Sequence, residues 1–407
     1  MADEHDVLSA EHAAALDAAD PLRHFRDRFV IHASSPLYVD GNSLGRLPHA
    51  TAQAVGDVVA EWGSRLVTAW PDWIDAPQRI GDLLAPHVLG ARPGEVLACD
   101  STTVNLFKLA DAVLTQEPGP VVVLRDDFPT DRYVLEGLAA KHGVPLTQAA
   151  SVAEAREHAE RARLVVLSAV DFRTGALTPL DTFRGTGARV IWDLSHAAGA
   201  VELDLHAHAD LAVGCSYKYL NGGPGAPAWL YVRTELQDEL STPIQGWFGQ
   251  RDQFAMGPRY EPAPGIDRFL AGTPPILALA AVRAGVELTA EAGMPAIAAK
   301  HRALTEHFVA LADAWLTPLG FAVGSPRDPG SRGGHVSLTH PRGWQICRAL
   351  IEQQSTIPDF REPDVIRFAF PALYTSFAEV REAARRTRDL VASGAHEQVA
   401  AERHRVT

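Results

Sequence analysis

The sequence predicts an α/β protein in which a large domain built on a mostly parallel sheet, flanked by helices, precedes a smaller α+β domain. Three observations carry this. Continuous apolar runs, VVVL at 121–124, RLVVLSAV at 163–170, RVIWD at 189–193 and DLAVGCS at 210–216, alternate with helical segments, as βαβ units do when their sheet is buried on both faces. From Pro275 onward the pattern shifts to the long helical periods ILALAAVRAGVELTAEAG and MPAIAAKHRALTEHFVALADAWL, followed by the short strands HVSLTH and VIRFAF; that order suits a separate α+β unit. A chain of 407 residues is also long enough for two domains, each with its own core.

In chain order, residues 8–29 read as a polar, Ala-rich helix that ends near PLYVDGNSLGRLP, where Gly41, Asn42, Gly45 and Pro48 break any period. This segment forms an arm over 1–49, ahead of a large domain at 50–285 and a small one at 286–407. Within the large domain, Ser101, Thr102 and Thr103 precede the helix-like VNLFKLADAV, and a helical stretch starts near Asp131. No internal repeat is visible, and the tail ASGAHEQVAAERHRVT reads as loose.

Composition narrows the function. With 46% hydrophobic and 21% charged residues the chain is an ordinary globular sequence, and a net charge of -13 repels a phosphate backbone, so small molecules suit it better than nucleic acid. Cys99, Cys215 and Cys347 are scattered and form no CxxC pair, which points to neither zinc nor a disulfide framework and to a reducing cytoplasm. The N-terminal MADEHDVLSAEHAAALDAADPLRHF lacks the pattern of a signal peptide, and no apolar stretch is long enough to span a membrane.

In open α/β sheets, ligands sit beyond the carboxyl ends of the strands. Four polar positions stand there: Phe128–Asp131 (FPTD) after VVVL, Ser168 after LVVL, Asp193 after RVIW and Lys218 after LAVGCSY. A lysine after an apolar run needs a partner, a covalent bond or an exit to solvent. An aspartate at one strand end and a lysine about one βα unit later match what pyridoxal 5'-phosphate requires, an amine for its aldehyde and a carboxylate for its pyridine nitrogen. His196 falls near the same strand end, and the Ser-Thr-Thr run before a helix suits a phosphate dianion. Each has a plainer reading: Asp193 as a helix cap, Lys218 as a surface lysine, Ser101–Thr103 as an ordinary cap. The spacing of Asp193, His196, His206 and His208 is too permissive to indicate a metal.

Several segments carry a resemblance. GNSLG (41–45), TTVNL (102–106), FPTD (128–131), RTG (173–175), WDLSHAAGA (192–200), CSYKYLNGGPGAP (215–227), QGWFG (245–249), GIDRFLAGTPP (265–275) and IRFAFPALYTSF (366–377) stand in the order found in kynureninases. The resemblance spans 41–377. It implies a fold-type-I, aspartate-aminotransferase-like pyridoxal-phosphate enzyme, a homodimer, and hydrolysis of L-kynurenine to anthranilate and L-alanine within tryptophan catabolism, the kynurenine pathway and NAD biosynthesis. Carried over by position, Lys218 is the Schiff-base lysine and Asp193 the partner of the pyridine nitrogen, with Tyr217 as a proton donor. Thr102, Thr103, Ser168 and Tyr217 match cofactor contacts, Phe128 the residue stacked on the ring, and Asp131 and His196 its neighbours. Trp247 and Thr273 match further cofactor positions, part of which the partner chain supplies in such dimers. Arg367 matches the arginine that binds the α-carboxylate. Ser43 and Ser64 match contacts to the aniline ring.

Animal-type members carry His where this chain has Ser64 and Asn where it has Thr273, which implies a preference for kynurenine over its 3-hydroxy derivative. An arginine inside IRFAF offers a bidentate fork for a carboxylate, and a structural ion pair is the plainer alternative. Other fold-type-I enzymes, an aminotransferase or a cysteine desulfurase, share Asp193 and Lys218. The desulfurase further requires a mobile cysteine, and none of the three is placed for that role.

Overall fold

The computed structural model describes residues 7–400. The arm begins as helix Ala10–Ala19, capped by Ser9, and continues as a 3-10 turn over Arg23–Arg28. A single helix over 8–29 is therefore not what forms. Pro21 disfavours helix at the residue before it, and Asp20 there leaves the helix to accept the Leu22 amide at 2.9 Å and pair with Lys300 Nζ at 2.6 Å, both acid and lysine being buried. After this the arm contributes β1 (Leu37–Tyr38) and reaches helix His49–Arg65.

Seven strands build the large sheet: β2 (Val96–Ala98), β3 (Val121–Leu124), β4 (Leu146–Ala149), β5 (Leu164–Ser168), β6 (Arg189–Asp193), β7 (Leu211–Gly214) and β8 (Trp229–Val232). Their spatial order is β2-β8-β7-β6-β5-β3-β4. β3 pairs in parallel with β4 and β5, β5 with β6 and β6 with β7, while β8 runs antiparallel to both its neighbours. Alternate residues of the apolar runs feed two separate cores. Val165, Leu167, Trp192 and Ala212 pack on one face, and Leu164, Val166, Ile191 and Leu211 on the other. Burial on both faces is why these strands read as unbroken apolar runs.

The C-terminal unit is a four-stranded antiparallel sheet, ordered β12 (Asp359–Arg361), β13 (Val365–Ala369), β10 (His335–Thr339) and β9 (Ala322–Val323). Its core joins Phe308 and Val380, from helices Met294–Trp315 and Phe377–Ala392, and Phe368 and Phe370, in and just after β13, with Ala13, Leu37 and Val39 of the arm. β1 pairs in parallel with β11 (Thr356–Ile357), so the arm docks on this unit rather than standing apart. Helix Met294–Trp315 is buried at both ends against different cores, Met294 and Ile297 on the large sheet and Leu304 and Phe308 on the small one. The tail is not loose as far as Ala400. Helix Phe377–Ala392 is followed by a 3-10 turn, Ala395–Gln398, with His396 buried and Glu397 paired to Arg342 at 2.9 Å; the remainder of that segment, 401–407, lies outside the described residues.

Candidate active site

The chain between β3 and β5 leaves in opposite directions, to β4 on one side and β6 on the other, which places a crevice at the carboxyl ends of the central strands. There a cavity of about 230 Å³ is lined by Thr102, Thr103, Phe128, Asp131, Asp193, His196, Tyr217 and Lys218, together with Asp100, Ser101 and Ser195. The eight residues first named were all singled out in the sequence, as was Ser101, and they meet in one place.

Lys218 follows β7 and is buried; among the described residues it makes no ion pair. Its Nζ lies 3.2 Å from His196 Nε2 and 3.4 Å from Nδ1, and about 6.0 Å from the centre of the Phe128 ring. Burial pushes the lysine below its ordinary value, with Cys215 and Asp193 pulling it partly back. Burial, then the Lys218 charge, holds His196 well below the usual imidazole range, so its ring is neutral at pH 7. The GNSLG turn closes over this loop. The Gly45 N–H donates to Tyr217 O at 2.8 Å, and a Cβ at Gly45 would stand 2.4 Å from Lys218 O, closer than any side chain tolerates.

Asp193, at the end of β6, accepts the Ser195 N–H at 2.7 Å, and burial raises its carboxyl above the ordinary range. It caps a turn, not a helix. Asp131, in the first turn of helix Pro129–His142, is fully buried with neither carboxylate oxygen hydrogen-bonded. Burial, then the Asp193 charge, pushes it well up. Burial also holds the Tyr217 hydroxyl above its ordinary range, so it keeps its proton at neutral pH. On the far side, Ser101 caps helix Thr102–Gln116 by accepting the Val104 N–H at 3.3 Å, and the first amides of that helix have no intrahelical partner.

Ser168 stands opposite Asp193 in the β5–β6 register but does not line the cavity. Its hydroxyl donates to Asp127 Oδ1 at 2.6 Å and its N–H to Oδ2 at 2.9 Å. The sequence reading passed over Asp127, a buried acid pushed up to about 6 by burial.

Arg367 and Ser43 meet each other, Nη2 donating to Ser43 Oγ at 3.3 Å. The guanidinium is 1% exposed and held by Asp359, with Nε 2.5 Å from Oδ2, and by the Phe172 carbonyl at 2.6 Å. The structural ion pair considered for it is present. Asn42 joins in, its amide donating to Asp40 Oδ1 at 3.0 Å and accepting from Arg367 at 3.3 Å. Asp359, Asp40 and Asn42 were not singled out beforehand, and nor was His335. That histidine is fully buried with neither ring nitrogen hydrogen-bonded, its ring 5.9 Å from that of His196. The β10–β13 register sets His335 against Ala369 and Ser337 against Arg367, and two-residue spacing keeps His335 and Arg367 on one sheet face.

Three positions stand away from the cavity. Ser64 is exposed on helix His49–Arg65 and donates to Ala60 O at 2.9 Å. Thr273 is exposed, and Trp247 is 43% exposed with its ring edge-on to Phe248. Among the described residues no group of three His, Cys, Asp or Glu is arranged to hold a metal, and His208 Nδ1 is engaged by Arg184 at 2.9 Å.

The donor set fits pyridoxal phosphate. Two buried carboxylates, one of them unpartnered, suit a cationic ring nitrogen, an amine beside His196 suits an aldehyde, and a helix start capped by Ser101 lines the same cavity. Fold and cavity define a fold-type-I pyridoxal-phosphate enzyme. The fold is shared with a cysteine desulfurase from Thermococcus onnurineus NA1 (TM-score 0.76, 20% identity, 88% of this chain and 95% of that one). It is shared also with a C-DES variant carrying glycine covalently linked to its PLP cofactor (TM-score 0.77, 20% identity, 89% and 99%). Sequence is more specific. Residues 87–315 match the aminotransferase class-V family and 297–387 the kynureninase C-terminal domain. Kynureninases of Pseudomonas fluorescens (42% identity, 91% of this chain, 92% of that one) and Burkholderia pseudomallei K96243 (40%, 95%, 96%) are similar over nearly the whole length. The chain belongs to the kynureninase family.

Proposed function

We propose that the protein, loaded with pyridoxal phosphate, adds water across the Cβ–Cγ bond of L-kynurenine to give anthranilate and L-alanine, with Lys218 as the amine that carries the cofactor. The observation that carries the assignment is a buried lysine with no counter-charge in contact among the described residues, in a cavity that also holds Asp193. Bound there, the cofactor supplies a carbonyl that condenses with amines and a protonated ring that accepts electron density from the substrate Cα.

The chain does the rest. Asp193 would hold the proton on the ring nitrogen, and Phe128 would cover one ring face. Thr102, Thr103 and Tyr217 would receive the phosphate, Asp131 and His196 would flank the ring, and Ser168, outside the lining, would act on it only through the strand end it shares with Asp127. Lys218, neutral more readily than an exposed lysine, takes and returns the Cα proton. Tyr217, which keeps its hydroxyl proton, is the donor we assign to Cβ. Arg367, hydrogen-bonded to Ser43, would clamp the α-carboxylate, with Asp359 fixing the plane of its fork. The three cysteines are buried, burial pushing Cys99 up to about 12 and raising Cys215 and Cys347, which does not favour the persulfide chemistry of a desulfurase.

The enzyme we infer is a homodimer. Val58, Trp62, Leu66, Val67, Trp70 and Leu277 line an almost wholly apolar groove, with Trp62 56% and Val67 74% exposed. Such a patch is uncommon on a monomer. Ser64 lies on the same segment and Thr273 just before Leu277, so covering the patch with a second copy carries both toward that copy's site, along with Trp247. No described helix is long and apolar enough to cross a membrane, and we place the enzyme in the cytoplasm, in tryptophan catabolism with a link to NAD biosynthesis. The deciding experiment incubates the purified protein with pyridoxal phosphate and L-kynurenine. Fluorescent anthranilate with one equivalent of alanine is expected. Amino-group transfer that depends on an added 2-oxo acid, with no anthranilate, would replace this reading with an aminotransferase.

A further inference from the structure

Lys108 lies in helix Thr102–Gln116 with none of its surface exposed, and nothing in the proposed chemistry uses it. Its ammonium donates to Asp100 Oδ2 at 2.6 Å and to the Phe269 carbonyl at 2.7 Å, with Cys99 Sγ at 3.6 Å. Three donors meet three acceptors, the full capacity of a lysine. Asp100 is the residue before Ser101. It lines the cavity with its side chain 27% exposed, and its backbone sits at φ +49°, in the left-handed region that side chains other than glycine rarely adopt.

The charge pattern at this end is unusual for a phosphate site. Among the described residues the only lysine or arginine lining the cavity is Lys218, which is committed to the cofactor's aldehyde. The phosphate dianion therefore meets hydroxyls and helix amides beside a carboxylate, and an uncompensated carboxylate there would repel it. We propose that Lys108 is a positioning residue for the phosphate end of the cofactor, neutralising Asp100 from below and holding the left-handed turn that aims Ser101–Thr103 at the phosphate. The same ammonium, through Phe269, ties this turn to the 3-10 segment Gly265–Phe269 that leads to Thr273. The inference rests on the pyridoxal-phosphate reading of the cavity.

The test is titration of the apoprotein with pyridoxal phosphate, and separately with pyridoxal, followed by tryptophan fluorescence and by the absorbance of the bound chromophore, alongside thermal unfolding of each variant. Lys108→Met should weaken pyridoxal phosphate by at least about tenfold and leave pyridoxal, which lacks the phosphate, unchanged. Adding Asp100→Asn to Lys108→Met should recover most of the loss, and Asp100→Asn alone should bind pyridoxal phosphate at least as tightly as the parent. Equal weakening of both vitamers, or no recovery in the double variant, would assign Lys108 to packing and overturn the proposal. Should Lys108→Met not fold, Asp100→Asn alone decides, since weakened phosphate-dependent binding in that variant contradicts a repulsive carboxylate. A parent protein that binds neither vitamer would instead sink the cofactor reading itself.

Discussion

Lys218 Nζ sits 3.2 Å from Nε2 of His196, a buried amine facing a buried neutral ring with no carboxylate in contact among the described residues. Burial lowers the lysine's proton affinity below its unfolded value of 10.5. A group depressed in the folded state binds fewer protons there than when unfolded, so its contribution to stability is full above 10.5 and is lost as pH falls through its folded value. The apoprotein should accordingly gain stability relative to a Lys218→Met variant as pH rises from neutrality toward 10.5. Denaturant midpoints of the two proteins across that range check this. A constant difference would mean that the amine is not depressed.

The Arg367–Asp359 pair makes a separate prediction. Arg367→Lys keeps the charge but loses the planar fork, so KM for kynurenine should rise about tenfold to a hundredfold with a smaller change in kcat, on the usual 1.5–3 kcal/mol of a charge-assisted hydrogen bond. Asp359→Ala leaves the 1%-exposed guanidinium short of its counter-ion and should destabilise the fold by about 3 kcal/mol. Steady-state kinetics and chemical denaturation separate the two effects.

The apolar groove gives a third. Val67 is 74% exposed and belongs to neither core, so Val67→Glu should leave the stability of the single chain unchanged while lowering the mass in solution to that of one chain. If, as proposed, Ser64, Trp247 and Thr273 complete the cavity of a second copy, activity should fall with it. Light scattering combined with anthranilate production tests this. A fully active monomer would require these three residues to act elsewhere.

Much of this arrangement is legible in the chain. β5, β6 and β7 are continuous apolar runs because both sheet faces are buried, and the polar residues that end them, Asp193 and Lys218, had to lie at one edge. Ser101 was readable as a cap because a helical pattern follows it. Asp359 was not, since β12 is three residues long and its pairing with Arg367 is set by a sheet register that local sequence does not encode. Lys108 looks like any lysine on an amphipathic helix, and only the left-handed turn at Asp100 brings a carboxylate under it. His335 lies in a strand where alternation places it inward, but what faces it, His196, arrives from the other sheet. Asp20-Pro21 disfavours the single helix read over 8–29, and the tertiary partner Lys300 that uses the break is not encoded locally.

The central claim is that the nitrogen of Lys218 bonds to the carbonyl carbon of pyridoxal phosphate, and borohydride reduction of the loaded protein followed by peptide mass mapping tests it most directly. The account predicts a single phosphopyridoxyl mass shift on the peptide containing SYKYL, absent from Lys218→Met. An unmodified peptide, or a shift confined to another lysine such as Lys108 or Lys300, would contradict it.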